Sequence, residues 1–405
     1  MFVLLAFWNT CFMAQPPSLY LFLLIILLGP LGIDVYLPAI PAIAESMNTH
    51  VDGVQASVAM YLSAMGLGQL IAGPLADRHG RKPLGLTGIA LYFSGALIAS
   101  LATVVEVLWF SRVLQGLGAC AISVCVISGV RDSYSLEKAS RIYSYLNGVI
   151  CVIPALAPML GGILLNWWGW ESGFILMYAY AILMAFVIIL KLPETLPSDT
   201  VKQKKLISLE RYKPILINPK FRFHAGMVML FMGIIIAYIS MVSVQLMVVM
   251  KQSTFAFSLW FGFNAFINII ASFTAPKIID KVGRKFAIQF ASSLALFAGV
   301  WLLLVLDSLD PLALMIPVFI SSTGVSFVFA VSNAGALAPF GERAGTASAL
   351  LGFFQMTGAS LMVAMINTLP FGAMANFAIV MFLPMIWLGL HSFNKQDLFK
   401  LDPAN

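Results

Sequence analysis

Charge is scarce in this chain. Asp, Glu, Lys and Arg make up 10% of its 405 residues and apolar residues 60%, against about 25% and about 45–50% in soluble domains. A water-soluble domain is excluded by that balance. Cysteine gives nothing to build on either. Cys11, Cys120, Cys125 and Cys151 show no metal-site spacing, and three of them sit in apolar runs, so they read as small core residues. The four histidines, His50, His79, His224 and His391, are scattered near the ends of such runs, which argues against a metal centre. No glycine-rich phosphate loop and no nucleophile elbow occurs, so neither an enzyme nor a bound cofactor has support.

What the chain has in abundance is membrane-spanning length. A helix needs about 20 apolar residues, at ~1.5 Å rise each, to cross a ~30 Å hydrocarbon core. Such runs fall at 19–38, 54–75, 84–103, 107–129, 142–164, 173–191, 224–248, 256–276, 286–306, 312–333, 346–367 and 373–391. Threading these twelve spans puts all but two of the 23 Lys and Arg on one side of the membrane; the exceptions are Lys251, on the other side, and Arg112, inside the fourth span. The positive-inside rule then places both termini in the cytoplasm and reads the net charge of +6 as topology rather than nucleic-acid binding. Residues 1–12, MFVLLAFWNTCF, are too short to span and have no basic flank, so translation from Met13 is an alternative start.

The longest polar stretch, 192–223, separates two sets of six spans: an N-terminal half, 1–191, and a C-terminal half, 224–391, followed by a cytoplasmic tail, 392–405. The same local pattern follows the second span of each set. It reads Gly73-Pro-Leu-Ala-Asp77-Arg78-His-Gly80-Arg81-Lys82 in the first and Ala275-Pro-Lys-Ile-Ile-Asp280-Lys281-Val-Gly283-Arg284-Lys285 in the second. The two aspartates are about half the chain apart, as a parallel internal repeat requires.

On these motifs the chain resembles the major facilitator superfamily over essentially its whole length. Gly73 to Lys82 matches the signature loop of that family, and Arg112-Val-Leu-Gln115-Gly116-Leu-Gly118 matches its fourth-helix motif. Asp34-Val-Tyr36-Leu-Pro38 with Tyr61, Gln69 and Arg131-Asp132 is similar to the Bcr/CflA branch of drug:proton antiporters, and also to a purine nucleoside transporter subgroup. The resemblance implies an all-α membrane protein of two pseudo-symmetric six-helix bundles in a cell inner membrane. Its partners would be a small amphipathic solute, protons and the bilayer, with one chain acting as a monomer. Pro154-Ala-Leu-Ala-Pro158-Met-Leu-Gly161-Gly162 in the fifth span resembles the antiporter motif, although Ala157 stands where a glycine usually precedes the proline.

Asp34 is the one carboxylate of the chain well inside a span, where ionisable groups are costly and mark function. If its helix ends near Ile40, Asp34 lies about 9 Å below the far end, at the depth of Arg112, and the two charges are placed to meet. Burial penalises the charged carboxylate and Arg112 stabilises it, so this pair is the candidate proton-coupling site. The alternatives are an interfacial Asp34 and an Arg112 that only bonds backbone carbonyls. Amides at membrane level, Gln69, Gln115, Asn147, Gln245, Asn264, Asn268, Asn333 and Gln355, are expected to share an inner cavity with Tyr36, Tyr61 and Tyr238, because an uncovered amide in lipid is costly. Interhelical glue is the competing reading for each. By resemblance, Gly73, Asp77, Arg78, Gly80, Arg81 and Lys82 form a gate latch. Asp77 would dock at the start of the eleventh helix near Gly345 and Thr346, and the basic residues would tie the halves together. Pro154, Pro158, Gly161 and Gly162 would bend the fifth helix and let neighbours pack closely.

Overall fold

The structure, a computed structural model, describes residues 17–197, 209–340, 343–392 and 398. The alternative start at Met13 lies outside the described residues, as do Cys11, Lys202, Lys204, Lys205, Lys395 and Lys400.

Among the described residues, twelve helices are long and apolar enough to cross a membrane: α1 Leu19–Ser46, α2 Val51–His79, α3 Arg81–Ser100, α4 Val105–Ser133, α5 Arg141–Trp168, α6 Glu171–Lys191, α7 Pro219–Val249, α8 Thr254–Val282, α9 Arg284–Leu304, α10 Pro311–Leu337, α11 Gly345–Asn367 and α12 Ala373–His391. Several run past the expected ends, because helices continue into the water beyond the hydrocarbon that hydropathy detects. Phe186, Leu190, Phe273 and Leu304 stand on the outer surface, where lipid is their natural solvent.

The first span departs most from expectation. It continues to Ser46 and is broken in its middle: a helical piece, Leu28–Asp34, gives way to a 3-10 turn, Leu37–Ala39, before the helix resumes at Ile40–Ser46. Proline chemistry explains the break. Pro38 has no N–H to give the Asp34 carbonyl, and Pro41 has none for Leu37. The chain tightens instead, with Ala39 N–H donating to the Tyr36 carbonyl at 3.0 Å. Asp34 therefore sits about twelve residues, ~18 Å, from the far end, deeper than the ~9 Å expected. Discontinuous spans of this kind are tolerated only where the freed backbone is buried in protein or lines a cavity.

Between α6 and α7 the polar stretch is not bare. It holds a short helix, Leu209–Ile217, and α7 already starts at Pro219, capped by Asn218, which accepts a hydrogen bond from Phe221 N–H at 3.1 Å. Tyr212 and Ile215 are buried against Ala347, Leu350 and Leu351 of α11. The Tyr212 hydroxyl donates to the Leu70 carbonyl of α2 at 3.1 Å, and Arg211 Nε donates to Thr346 Oγ1 of α11 at 2.7 Å. One linker helix thus touches both halves.

Glycines set the close approaches between the two sets of helices. A Cβ on Gly162 of α5 would lie 2.8 Å from Thr254 of α8, and one on Gly262 of α8 would lie 3.2 Å from the Ala155 carbonyl. Both approaches lie in the half of α5 and α8 remote from the linker. A Cβ on Gly66 of α2 would collide with Thr357 of α11, whose hydroxyl donates to the Ser63 carbonyl at 2.8 Å. Gly352 of α11 leaves room for the Gln69 amide.

Candidate functional site

Asp34 ends the helical piece of α1 that precedes the break and is 4% exposed. Among the described residues no hydrogen bond or ion pair reaches its carboxylate. The expected pairing with Arg112 is not formed. Arg112, wholly buried, instead donates from Nη2 to the Gly32 carbonyl at 2.7 Å and from Nη1 to Gln115 Oε1 at 2.6 Å. Its guanidinium lies over the rings of Tyr36 and Tyr61, 4.8 and 4.6 Å from their centroids. An aromatic cage and two fixed oxygens hold a cation well, and they outcompete a carboxylate that points elsewhere. Gly32 makes the approach feasible, since a Cβ there would lie 2.8 Å from the Tyr61 hydroxyl and 2.9 Å from that of Tyr92.

Three residues expected to line the cavity, Tyr36, Tyr61 and Gln115, are therefore parts of this cage. The Tyr36 hydroxyl is locked to Ser57 Oγ at 2.8 Å and to the Val54 carbonyl at 3.2 Å, both on α2. Gln115 faces α3 and α6, with its amide nitrogen 3.6 Å from the Met177 sulfur and its side chain against Gly95. Tyr61 donates to the Gly29 carbonyl at 2.8 Å.

The other predicted residues divide into those with protein partners and those without. Asn268 binds Ser272 at 3.3 Å and Ser326 of α10 at 3.0 Å, and Gln245 donates to the Met374 sulfur of α12 at 3.3 Å, so both join helices rather than face a solute. Gln69 fills the space above Gly352. Asn147 is exposed on α5, and Asn333 and Gln355 are half-buried on α10 and α11. Tyr238 and Asn264 are buried, and neither the Tyr238 hydroxyl nor the Asn264 amide oxygen has a hydrogen-bond partner. Gln245 and Gln355 each lie in a π turn, Gln245–Val249 and Phe354–Gly358, a feature that concentrates at functional positions.

The signature loop is knitted entirely into the first half. Gly80 turns the chain at φ 107°, leaving Arg81 to start α3. Arg81, 2% exposed, binds Asp77 at 2.7 Å and Asp132, at the end of α4, at 2.8 Å; Arg131 adds a second bond to Asp132 at 3.0 Å. Glu194, just past α6, accepts from the backbone N–H of Arg81 at 2.8 Å and of Lys82 at 3.2 Å, a carboxylate at the positive end of a helix. Lys82 Nζ donates to the Ile189 carbonyl at 2.9 Å, and Arg78 is exposed. The expected docking of Asp77 on α11 is absent in this state, because Arg81 holds Asp77 and Arg211 holds Thr346. Gly73 also departs from expectation, since nothing lies within 4 Å of where its Cβ would be. Pro154 and Pro158 stay inside one continuous helix. Gly161 is pressed against the Val35 carbonyl at the α1 break, so Gly161 and Gly162 serve contacts in the same half and across the halves respectively. Among the described residues, no three His, Cys, Asp or Glu side chains gather to hold a metal ion.

Comparison with known proteins fits this geometry. The profile described as Major Facilitator Superfamily matches residues 22–363. The chain belongs to that superfamily. Multidrug resistance protein MdtL of Salmonella schwarzengrund (strain CVM19633) is 30% identical over 353 residues, covering 86% of this chain and 88% of its own, and MdtL of Salmonella newport (strain SL254) matches to the same extent. Among solved structures, a D-xylose-proton symporter superposes with a TM-score of 0.69 at 16% identity, covering 95% of this chain and 98% of its own. A peptide transporter, POT, in complex with sulfate gives 0.73 at 18% identity, covering 94% and 95%. At those identities the likeness is one of fold: twelve helices of a major facilitator transporter.

Sequence reasoning missed several members of this facilitator's site. Glu194 was hidden in a Pro193-Glu194-Thr195-Leu196-Pro197 run read as linker, because it follows the negative end of α6 and the helix start it caps, that of α3, is remote in sequence. Phe261 had no distinguishing mark among 31 phenylalanines. Pro38 and Pro41 were visible, and two prolines three apart in a span do signal a break.

Proposed function

We propose that this major facilitator is a proton-coupled antiporter that exports small amphipathic organic compounds by alternating access, one chain forming the working unit. The observation that carries the reading is Asp34: a buried carboxylate without an ion-pair partner, at a break in a spanning helix. An unpaired buried acid is stable protonated and gives up its proton when water or a cationic group reaches it. Because the Arg112 cage fixes the helical piece that ends at Asp34, movement of the other half alone changes what that carboxylate meets. The multidrug resistance relatives and the Asp34-Val-Tyr36-Leu-Pro38 run support efflux and a place in the Bcr/CflA branch. The basic residues gathered at the linker end support an inner-membrane orientation with both termini cytoplasmic. Asp34→Asn tests the assignment in proteoliposomes. Proton-gradient-driven ethidium flux should fall at least about tenfold, while gradient-free exchange across the membrane persists, because the amide mimics the protonated acid. Gradient-driven flux at the wild-type rate in the variant would remove Asp34 from the mechanism.

A second reading, transport of purine nucleosides or a related metabolite by the same carboxylate, draws on the buried amide of Asn264 in the opposite wall. Adenosine flux in the same vesicles separates the two.

A further inference from the structure

Polar atoms buried at membrane depth are ordinarily paired, and leaving one unpaired costs about 1–3 kcal/mol. In the first half, Tyr36, Tyr61 and Gln115 have their partners. Arg112 Nε and the Tyr92 hydroxyl lack one, but they are enclosed among α1, α3 and α4. The situation of Tyr238 on α7 and Asn264 on α8 is different. The 3-10 turn that follows Asp34 packs on both α7 and α8, the two helices that carry them.

The surroundings of these two atoms are specific. Phe257, Phe261 and Asn264 recur at positions i, i+4 and i+7, so they share one face of α8. The Tyr238 ring stacks on Phe261 at 5.4 Å and 15°, and Phe257 lies 5.8 Å from Phe261. An aromatic floor is thereby bordered by one group that can only accept, the Asn264 amide oxygen, and one that can donate or accept, the Tyr238 hydroxyl. Asn268, one turn further on, is satisfied by serines and closes the site at that end.

We infer that Tyr238, Phe261 and Asn264 form a recognition site for planar aromatic solutes that carry an N–H or O–H donor on the ring edge. The inference rests on the transport reading and deepens it. Asp34 answers to charge, whereas this site answers to the neutral polar edge of the solute. A ring whose edge is fully alkylated would fill the floor and leave the Asn264 oxygen unpaired. The site therefore discriminates between molecules of equal charge and similar shape.

Two phenothiazinium dyes make the test. Thionine carries two exocyclic amino groups; methylene blue has the same cationic ring with those groups fully methylated and no N–H on its edge. In detergent, the wild-type protein should bind thionine about tenfold more tightly than methylene blue, the difference one unmet hydrogen bond makes. Asn264→Leu should erase that ratio and Tyr238→Phe should reduce it. A ratio, read within one variant, is insensitive to losses in folded yield. An equal preference in wild type and Asn264→Leu overturns the inference, as does failure of the wild type to prefer thionine. Proton-driven flux of both dyes in proteoliposomes is measured in parallel. Flux without preference sinks this site alone; no flux of either dye sinks the transport reading and the site with it.

Discussion

The loops after α2 and after α8 have the same backbone and opposite surroundings. Gly80 and Gly283 turn the chain at φ 107° and 83°, with ψ 160° and 159°, each between the end of one span and the start of the next. Around Gly80 the side chains are knitted: Arg81 to Asp77 and Asp132, and Glu194 onto the start of α3. Around Gly283 nothing lies within 4 Å of a Cβ, Asp280 is exposed, and no ion pair forms among the described residues. The repeat preserved a turn, and among the described residues it is the first copy that is gripped, by an acid at the end of α4 and another after α6. The same asymmetry holds among the buried side chains. Among the described residues the buried charged ones, Asp34 and Arg112 within the spans and Arg81 at the start of α3, all belong to the first half, while the second offers His224, amides, hydroxyls and π turns. A rigid, charged half working against an uncharged half suits a carrier in which one part does proton chemistry and the other moves around it.

The largest expected effect comes from breaking the grip. Arg81→Ala removes a buried guanidinium from two carboxylates and leaves Asp132, 6% exposed, with the exposed Arg131 as its remaining cationic partner. Unfolding in detergent should show a loss of about 3–5 kcal/mol. Arg284→Ala, in the second copy, where Arg284 is half-buried and forms no ion pair among the described residues, should cost about 1 kcal/mol or less. Equal losses would mean that both loops are structural and that the contrast between them has no energetic content.

Next in size is Arg112→Lys. A lysine keeps the charge but cannot lie flat between Tyr36 and Tyr61 while reaching both Gly32 and Gln115. Losing one charge-assisted bond costs about 2 kcal/mol, and proton-driven flux should fall more than tenfold with expression retained. Wild-type flux in the lysine variant would show that a positive charge alone suffices and that the cage is incidental.

Much of this molecule was legible in its sequence. Hydropathy found twelve spans, and cost in lipid singled out Asp34 and Arg112, both of which are buried, because both properties belong to residue types summed along a chain. What was not legible is which partner wins when several compete. Arg112 could be placed at the depth of Asp34, but whether it bonds a carboxylate or the Gly32 carbonyl depends on Gly32, Tyr61 and Tyr92 converging from three helices. Asp77 was likewise expected on α11, and Arg81, one helical turn away, took it first. The π turns at Gln245 and Phe354 have no residue signature that sets them apart from ordinary helix.

The smallest and sharpest contrast is between Gly80→Ala and Gly283→Ala. Both glycines hold a backbone conformation almost closed to other residues, so each substitution should cost about 1–3 kcal/mol through strain alone. At Gly80 the new methyl would also collide with the Glu194 carboxylate. That carboxylate is not free to swing aside: Oε1 accepts from the N–H groups of Arg81, Thr195 and Leu196 at 2.8–2.9 Å, and Oε2 from Lys82 at 3.2 Å. Displacing it gives up a cap on α3 as well, so Gly80→Ala should cost about 1 kcal/mol more than Gly283→Ala. A double-mutant cycle isolates the excess, since in a Glu194→Ala background the Gly80→Ala penalty should shrink to the Gly283→Ala value. If the Gly80 penalty is the same with and without Glu194, the carboxylate does not clamp the loop, and the difference between the two copies has to be sought in Arg81 alone.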